Sequence, residues 1–404
     1  MMACLQIGIL LLLTAMTMGA SSPGPMTAND LEFISRSNDA IYRLKYEEAL
    51  RICDRAAAEM PGDPLPDVLR ARVLWQREIT LTGALELARF AADDFFVERL
   101  ASRYRLDPDS DAEKAFYQSS ETAKNKALAM LRKNPNDTRA RFLLGMAHRS
   151  KSTFDATFRG GWHSAFVAGD SARKAHERVE RAHPDFHDAK LALAVYDYVA
   201  GSVGWFYKLC GYLLFIRGSR TRGLATLELV ARDSQFSTID AKVMLVLLYT
   251  REKRYASAEP LLQSLREMHP ENCRVPLDQA TLMLYQNRTA DAIRIYQQSL
   301  RELRANPRGR LCPSAALLQT RIGIAHRVAG NLVEARAALE QAVVAEGHDE
   351  EKLRARLELG KVFDLLGNRG EAQKQYAQVR QQAERAAERE EAAAYLREPF
   401  RQSR

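Results

Sequence analysis

Small residues return along this chain at a spacing that leaves few folds open. Ala225, Ala258, Ala292, Ala335 and Ala372 stand at intervals of 33, 34, 43 and 37 residues. Between them apolar positions recur every three or four residues, the period of one face of an α-helix. From Asp240 to Pro270 the pattern is complete: Leu245, Tyr249, Tyr255, Ala258, Leu262 and Leu265 fall on helical faces, and the periodicity breaks at Lys253-Arg254. This predicts two amphipathic helices joined by a tight turn, with Ala258 where the second crosses the first, because only a small side chain lets the axes approach. Pro270 closes the unit, since proline lacks the amide hydrogen a helix interior needs. Asn287, Gly330-Asn331 and Gly367-Asn368 fall at the corresponding turns and tolerate left-handed backbone, which a helical hairpin requires.

The motifs Leu144-Gly145 with His148, Ile322-Gly323 with His326, Leu359-Gly360 with Phe363, and Tyr46-Glu47-Glu48-Ala49 followed by Pro61 share one order of residues. On them the chain resembles the tetratricopeptide repeat (TPR) proteins. The resemblance implies an all-α fold, a right-handed superhelix (α-solenoid) of stacked TPR helix pairs, about seven or eight of them between Asp30 and Tyr395. One such match is weak, but many in phase are strong. The register is poor between Trp75 and Phe116. Two stretches break the period: a connection from Arg149 to Ser164 with paired Gly160 and Gly161 before Trp162, and an aromatic-rich insert over 200–217. That insert and the following Gly218 to Leu224 resemble a bacterial group of exported TPR proteins. They are distantly similar to a eukaryotic TPR family linked to the mitochondrial outer membrane and inclusion-body clearance, a similarity that implies no activity here.

The organisation expected is a signal peptide at 1–20, a short linker at 21–29, N-terminal repeats at 30–199, the insert at 200–217, C-terminal repeats at 218–380 and a charged capping helix and tail at 381–404. Residues 1–20 hold no Lys, Arg, Asp or Glu and contain the apolar run Leu5 to Leu13, with Gly19 and Ala20 behind it. This is the plan of a secretory signal, so the protein is expected to be exported, periplasmic or envelope-associated in a bacterium. The net charge of +8 informs association and not fold. Cys53, Cys210, Cys273 and Cys312 are far apart with no CxxC pair, which argues against a zinc site or a thioredoxin-type motif. Isolated buried thiols are the reading favoured here, with one disulfide as the alternative in an oxidising compartment.

The familiar spacings of metal, phosphate and nucleophile chemistry are missing from the sequence, so no enzyme activity, cofactor or metal is expected. His183 and His187 stand four apart but are interrupted by Pro184, which makes them junction residues. The remaining candidate is a surface. In a TPR array the first helix of each pair lines the inner groove. The repeat register puts Arg139, Phe142, Met146, Arg149, Leu191, Val195, Tyr198, Val243, Leu247, Arg251, Thr320, Ile324 and Arg327 there. Arginine forks suit carboxylates, so solvent-facing Arg139, Arg149, Arg251 and Arg327 would favour a protein or peptide partner with acidic groups. The competing reading pairs these arginines internally, with Asp188 and Asp240 in the same register. The Lys and Asn pattern of chaperone-binding TPRs is not reproduced. No nucleic acid partner is expected. Trp205, Phe206, Tyr207 and Lys208 in the insert would plug the groove, line a ligand pocket or, in the alternative functional reading, rest on a membrane surface.

Overall fold

The computed structural model describes residues 24–83, 86–87, 110–202, 218–307, 309–383 and 386–402. The signal-peptide segment 1–20, Cys210 and the insert positions Trp205, Phe206, Tyr207 and Lys208 lie outside the described residues.

The described residues form an all-α solenoid of eight helix pairs and a closing helix. The pairs are α1 (Ala28–Tyr42) with α2 (Tyr46–Glu59), α3 (Leu65–Thr82) with α4 (Asp111–Lys133), α5 (Thr138–Phe154) with α6 (Trp162–Ala182), and α7 (Lys190–Ser202) with α8 (Arg220–Asp233). They continue as α9 (Thr238–Arg251) with α10 (Tyr255–Met268), α11 (Val275–Tyr285) with α12 (Thr289–Ala305), α13 (Ala315–Val328) with α14 (Leu332–Val344), and α15 (Asp349–Leu365) with α16 (Arg369–Gln382). Helix α17 (Ala386–Arg397) packs on α16.

Five of the turns inside pairs are built alike. Each carries one left-handed residue, Leu44, Lys253, Asn287, Gly330 or Gly367, with φ between 57° and 83°. The next amide donates back five residues, Lys45 to Ala40, Arg254 to Tyr249, Arg288 to Met283, Asn331 to His326 and Asn368 to Phe363, at 2.7 to 2.9 Å. This bond satisfies a helix-end carbonyl and fixes the hairpin angle. Second helices stop by another rule: α2, α4, α6, α10 and α12 each end two residues before a proline, at Pro61, Pro135, Pro184, Pro270 and Pro307. The residue ahead of a proline is driven to extended backbone, so the helix cannot pass it.

Ala258, Ala292, Ala335 and Ala372 are fully buried at the crossings. Ala225 is not: it is exposed, and the crossing belongs to Gly223, where a Cβ would come within 2.7 Å of the Ala194 carbonyl. The glycines of three of the repeat motifs have the same cause. A Cβ would strike His176 from Gly145 at 2.1 Å, Leu339 from Gly323 at 2.5 Å and Tyr376 from Gly360 at 2.5 Å. The first helix must be bare there because a large side chain of the second helix lies across it.

The expected long connection after Arg149 is instead helix. Helix α5 runs to Phe154 and widens into one π-turn at Asp155–Arg159 before Gly160 takes φ 61°. Phe154 and Phe158 are buried against Phe116, so apolar anchoring continues the helix through a stretch whose paired glycines suggest a loop. Cys273 and Cys312 form a disulfide, with Cα atoms 5.6 Å apart, and Cys53 is a free buried thiol. The isolated-thiol expectation therefore fails for that pair: the turn before α11 and the segment before α13 bring together cysteines 39 residues apart, a proximity that spacing alone does not reveal.

Candidate functional site: an inner face that the chain itself occupies

The early first helices, which the repeat register assigns to the inner face, meet the later ones. The Tyr42 hydroxyl donates to the Asp240 carboxylate on the first turn of α9, and Arg72 of α3 pairs with the same carboxylate at 2.9 Å. Arg72 also donates to the Asn38 side-chain oxygen at 2.6 Å, and the Asn38 amide donates to the Phe236 carbonyl at 3.1 Å. Arg43 reaches Glu271 at 2.9 Å, Asn272 donates to the Tyr42 carbonyl, and the Tyr42 ring stacks on His269. The first pair thus closes against the fifth and the turn that follows it. A second bridge follows Gly83, which ends α3 with φ 63°. Glu86 pairs with Arg321 at 3.2 Å and Arg274 at 3.5 Å, while the Leu87 amide donates to Asp278 at 3.1 Å. Burial pushes the Asp278 carboxyl up to about 7, helped by the Glu86 charge and opposed by the Leu87 hydrogen bond and by Arg274 and Arg321.

The positions expected to line an open groove are correspondingly filled. Arg139 donates to Asp30 at 2.6 and 2.7 Å and to Asp63 at 2.8 and 3.1 Å, with 16% of its side chain exposed. Arg327 lies 3.1 Å from buried Glu358. The expectation of solvent-facing arginines is corrected at both positions, because carboxylates of α1, of the turn before α3 and of α15 reach them first. Arg149 is half-buried near Asp240 and Arg72, and burial holds its guanidinium below its ordinary range. Arg251 is half-buried and has partners of its own. Phe142, Met146, Leu191 and Leu247 are core residues, at most 3% exposed, and Tyr198 is buried with its hydroxyl donating to Glu252 at 2.7 Å. Thr320 is buried with its hydroxyl on the Ala316 carbonyl. Val195, Val243 and Ile324 are half-buried. Asp188 forms no direct ion pair with an arginine among the described residues: buried, it accepts the backbone amides of Gln235, Phe236 and Ser237 at 2.8 to 3.0 Å and so sets the entry to α9.

A smaller feature sits at the π-turn, where an open pocket of about 470 Å³ is lined by Tyr117, Lys151, Asp155, Arg159, Gly161 and Ser164. Buried Asp155 accepts from Tyr117, from Ser164 and from Lys151 at 2.6 Å. These polar groups therefore satisfy one another. His163 is exposed on the first turn of α6 and is not among the lining residues. His183 bonds to Thr138 at 3.0 Å. No group of three or more His, Cys, Asp or Glu able to hold a metal occurs among the described residues. Among them, too, no helix is long and apolar enough to cross a membrane.

A tetratricopeptide repeat family profile matches residues 277–351, from the first turn of α11 into α15. No curated protein matches the chain. Among solved structures it is similar to yeast Tom70, at 12% identity and a TM-score of 0.39, covering 91% of this chain and 95% of that one. It is similar also to a tetratricopeptide repeat protein from Parabacteroides merdae, at 14% and 0.40, covering 70% and 94%. The human IFIT1 dimer with m7Gppp-AAAA is similar at 15% and 0.44, covering 91% and 85%. At such identities and scores these likenesses add nothing to the helical-repeat fold.

Proposed function

Because the chain is a tetratricopeptide-repeat protein, we propose that it acts without catalysis as a scaffold that binds a protein or peptide along its inner face, in an oxidising compartment such as the bacterial envelope. One observation carries the reading: the inner-face charges are held in fixed positions by other charges, as Arg139 is by Asp30 and Asp63. A surface ordered before its partner arrives lowers the ordering cost of binding. Export is supported by the Cys273–Cys312 disulfide, a bond that persists outside reducing cytosol. Acidic preference narrows to Arg149, which has no direct ion pair among the described residues.

The test is site-specific photocrosslinking in the native host, with the crosslinker at Val243 on the inner face or at Val333, which is 71% exposed on a second helix. The reading expects a discrete protein adduct from Val243 and none from Val333. Adducts from Val333 alone, or from neither, overturn it.

A further inference from the structure

The segment following α17 turns back onto the inner face of the last two pairs. Phe400 is half-buried there, while Glu398, Pro399, Arg401 and Gln402 are exposed. Its ring lies 5.3 Å from the Arg327 guanidinium of α13 and 5.5 Å from the Lys361 ammonium of α15, and meets the Tyr395 ring edge-on at 5.5 Å. Its backbone amide donates to the fully buried Asp364 carboxylate at 2.8 Å. Contact is thus concentrated in one aromatic anchor and one main-chain hydrogen bond, supplemented by a longer one from Arg327 to the Gln402 side-chain oxygen at 3.4 Å, with exposed polar flanks, which is how a short peptide is held by a preformed surface.

We infer that residues 398–402 are an internal ligand, and that the site made by Arg327, Lys361, Asp364 and Tyr395 takes an aromatic residue of an extended partner peptide in place of Phe400. The inference rests on the scaffold reading and specifies where on the inner face the partner docks. Two observations separate a displaceable ligand from a structural cap. Helix α17 already covers α16, so the end of the array is closed without this segment. Departure of Phe400 also strands no buried charge. Asp364 keeps Arg369 at 2.9 Å and the Tyr376 hydroxyl at 2.9 Å, Lys361 keeps Glu358 at 2.9 Å and Glu391 at 2.8 Å, and Arg327 keeps Glu358 at 3.1 Å. The cations stay in place and are offered to another ring, an attraction that strengthens away from water.

The experiment measures fluorescence polarisation of a labelled synthetic peptide of residues 397–404 titrated with the full chain and with a chain ending at Arg397. A tethered segment competes at roughly millimolar effective concentration, so the shortened chain should bind at least about ten-fold more tightly. A peptide keeping Pro-Phe between glycine-rich flanks should bind the shortened chain comparably, and the peptide with Phe400→Ala should not. Arg327→Gln in the shortened chain should weaken binding several-fold. If shortening lowers helicity by circular dichroism, Phe400→Ser in the full chain gives the same comparison. Equal affinity for closed and opened chains, or no binding by the opened chain at millimolar peptide, overturns the inference. So does a full-chain dimer abolished by Phe400→Ser, which would assign the site to a second copy. Persistence of the Val243 adducts alongside a failed titration would leave the scaffold reading intact, so the two failures are distinguishable.

Discussion

Arg72 and Asp240, 168 residues apart in sequence, form an ion pair at 2.9 Å with 4% and 16% of their side chains exposed. Asp240 also accepts from Tyr42, so one carboxylate ties the second pair, the first pair and α9 together. Removing one member of a buried pair leaves the other uncompensated, at a cost of about 3–5 kcal/mol. Arg72→Met should therefore lower the urea midpoint sharply, and the double variant Arg72→Met, Asp240→Leu should recover much of the loss. A single variant within about 1 kcal/mol of the parent would show that the contact across the inner face is not a stabilising one.

The two kinds of helical glycine should respond with opposite signs. At Gly145 a Cβ would sit 2.1 Å from the buried His176 ring, so Gly145→Ala should destabilise by about 1–3 kcal/mol. Gly370, on the first turn of α16, has nothing within 4 Å of a built Cβ. Gly370→Ala should stabilise by roughly 0.5–1 kcal/mol through helix propensity. Thermal unfolding of both single variants decides the matter, and the same sign for both would contradict the steric account.

Much of the fold was legible because the repeat writes its packing into small residues and its punctuation into Pro, Gly and Asn. Gly145, Gly323 and Gly360 mark contacts within a pair, where local sequence carries the information. Ala225 misled because Gly223, two residues earlier, supplies the close approach to Ala194 and Tyr198. The π-turn was missed because Gly160-Gly161 reads as a break, and only the burial of Phe154 and Phe158 reveals that helix persists up to it. The groove was hardest. Arg139 and Arg327 belong to the right helices, but their carboxylate partners lie 109 and 31 residues away. Nothing in a helical period states which surfaces meet across the superhelix.

Acid should act on this protein through a buried imidazole and a half-buried carboxyl of opposite sign. Burial against Phe142, with the Arg149 charge adding to it, holds His176 down to about 3, so the folded chain refuses a proton that the unfolded chain accepts below about 6.5. Its contribution to stability is complete above pH 6.5 and falls as pH drops, by about 2 kcal/mol at pH 5. Asp278 runs the other way: its pKa of about 7 lies above the unfolded value, so its ionised form destabilises the fold above pH 7 and the penalty lifts as pH falls. His176→Gln should remove a loss of stability between pH 7.5 and 5, whereas Asp278→Asn should remove a gain. Chemical denaturation at the two pH values measures both, and parallel slopes in parent and variants would refute these assignments.

Among the described cysteines, reduction should reach the Cys273–Cys312 bond and spare the Cys53 thiol. Closing a loop of 39 residues contributes about 4 kcal/mol in the chain-entropy account. Reductant, or Cys273→Ser with Cys312→Ser, should lower the melting temperature by several degrees. Cys53 is fully buried and its thiol is pushed up to about 12 by burial, so it should resist maleimide until the chain unfolds. Rapid labelling of Cys53 in the folded protein would contradict its placement.

The contact of the first pair with the fifth has a consequence for how the molecule comes apart. A linear array treats each unit as coupled only to its neighbours, so it can fray from either end like a row of dominoes. Here the row bends round and touches itself through Tyr42, Arg72 and Asp240. The first pair cannot leave without loosening the middle, and a fluctuation at α9 is felt at α1. The arrangement converts a one-dimensional lattice into a circuit, and the end that would ordinarily fray first becomes a clasp for the centre.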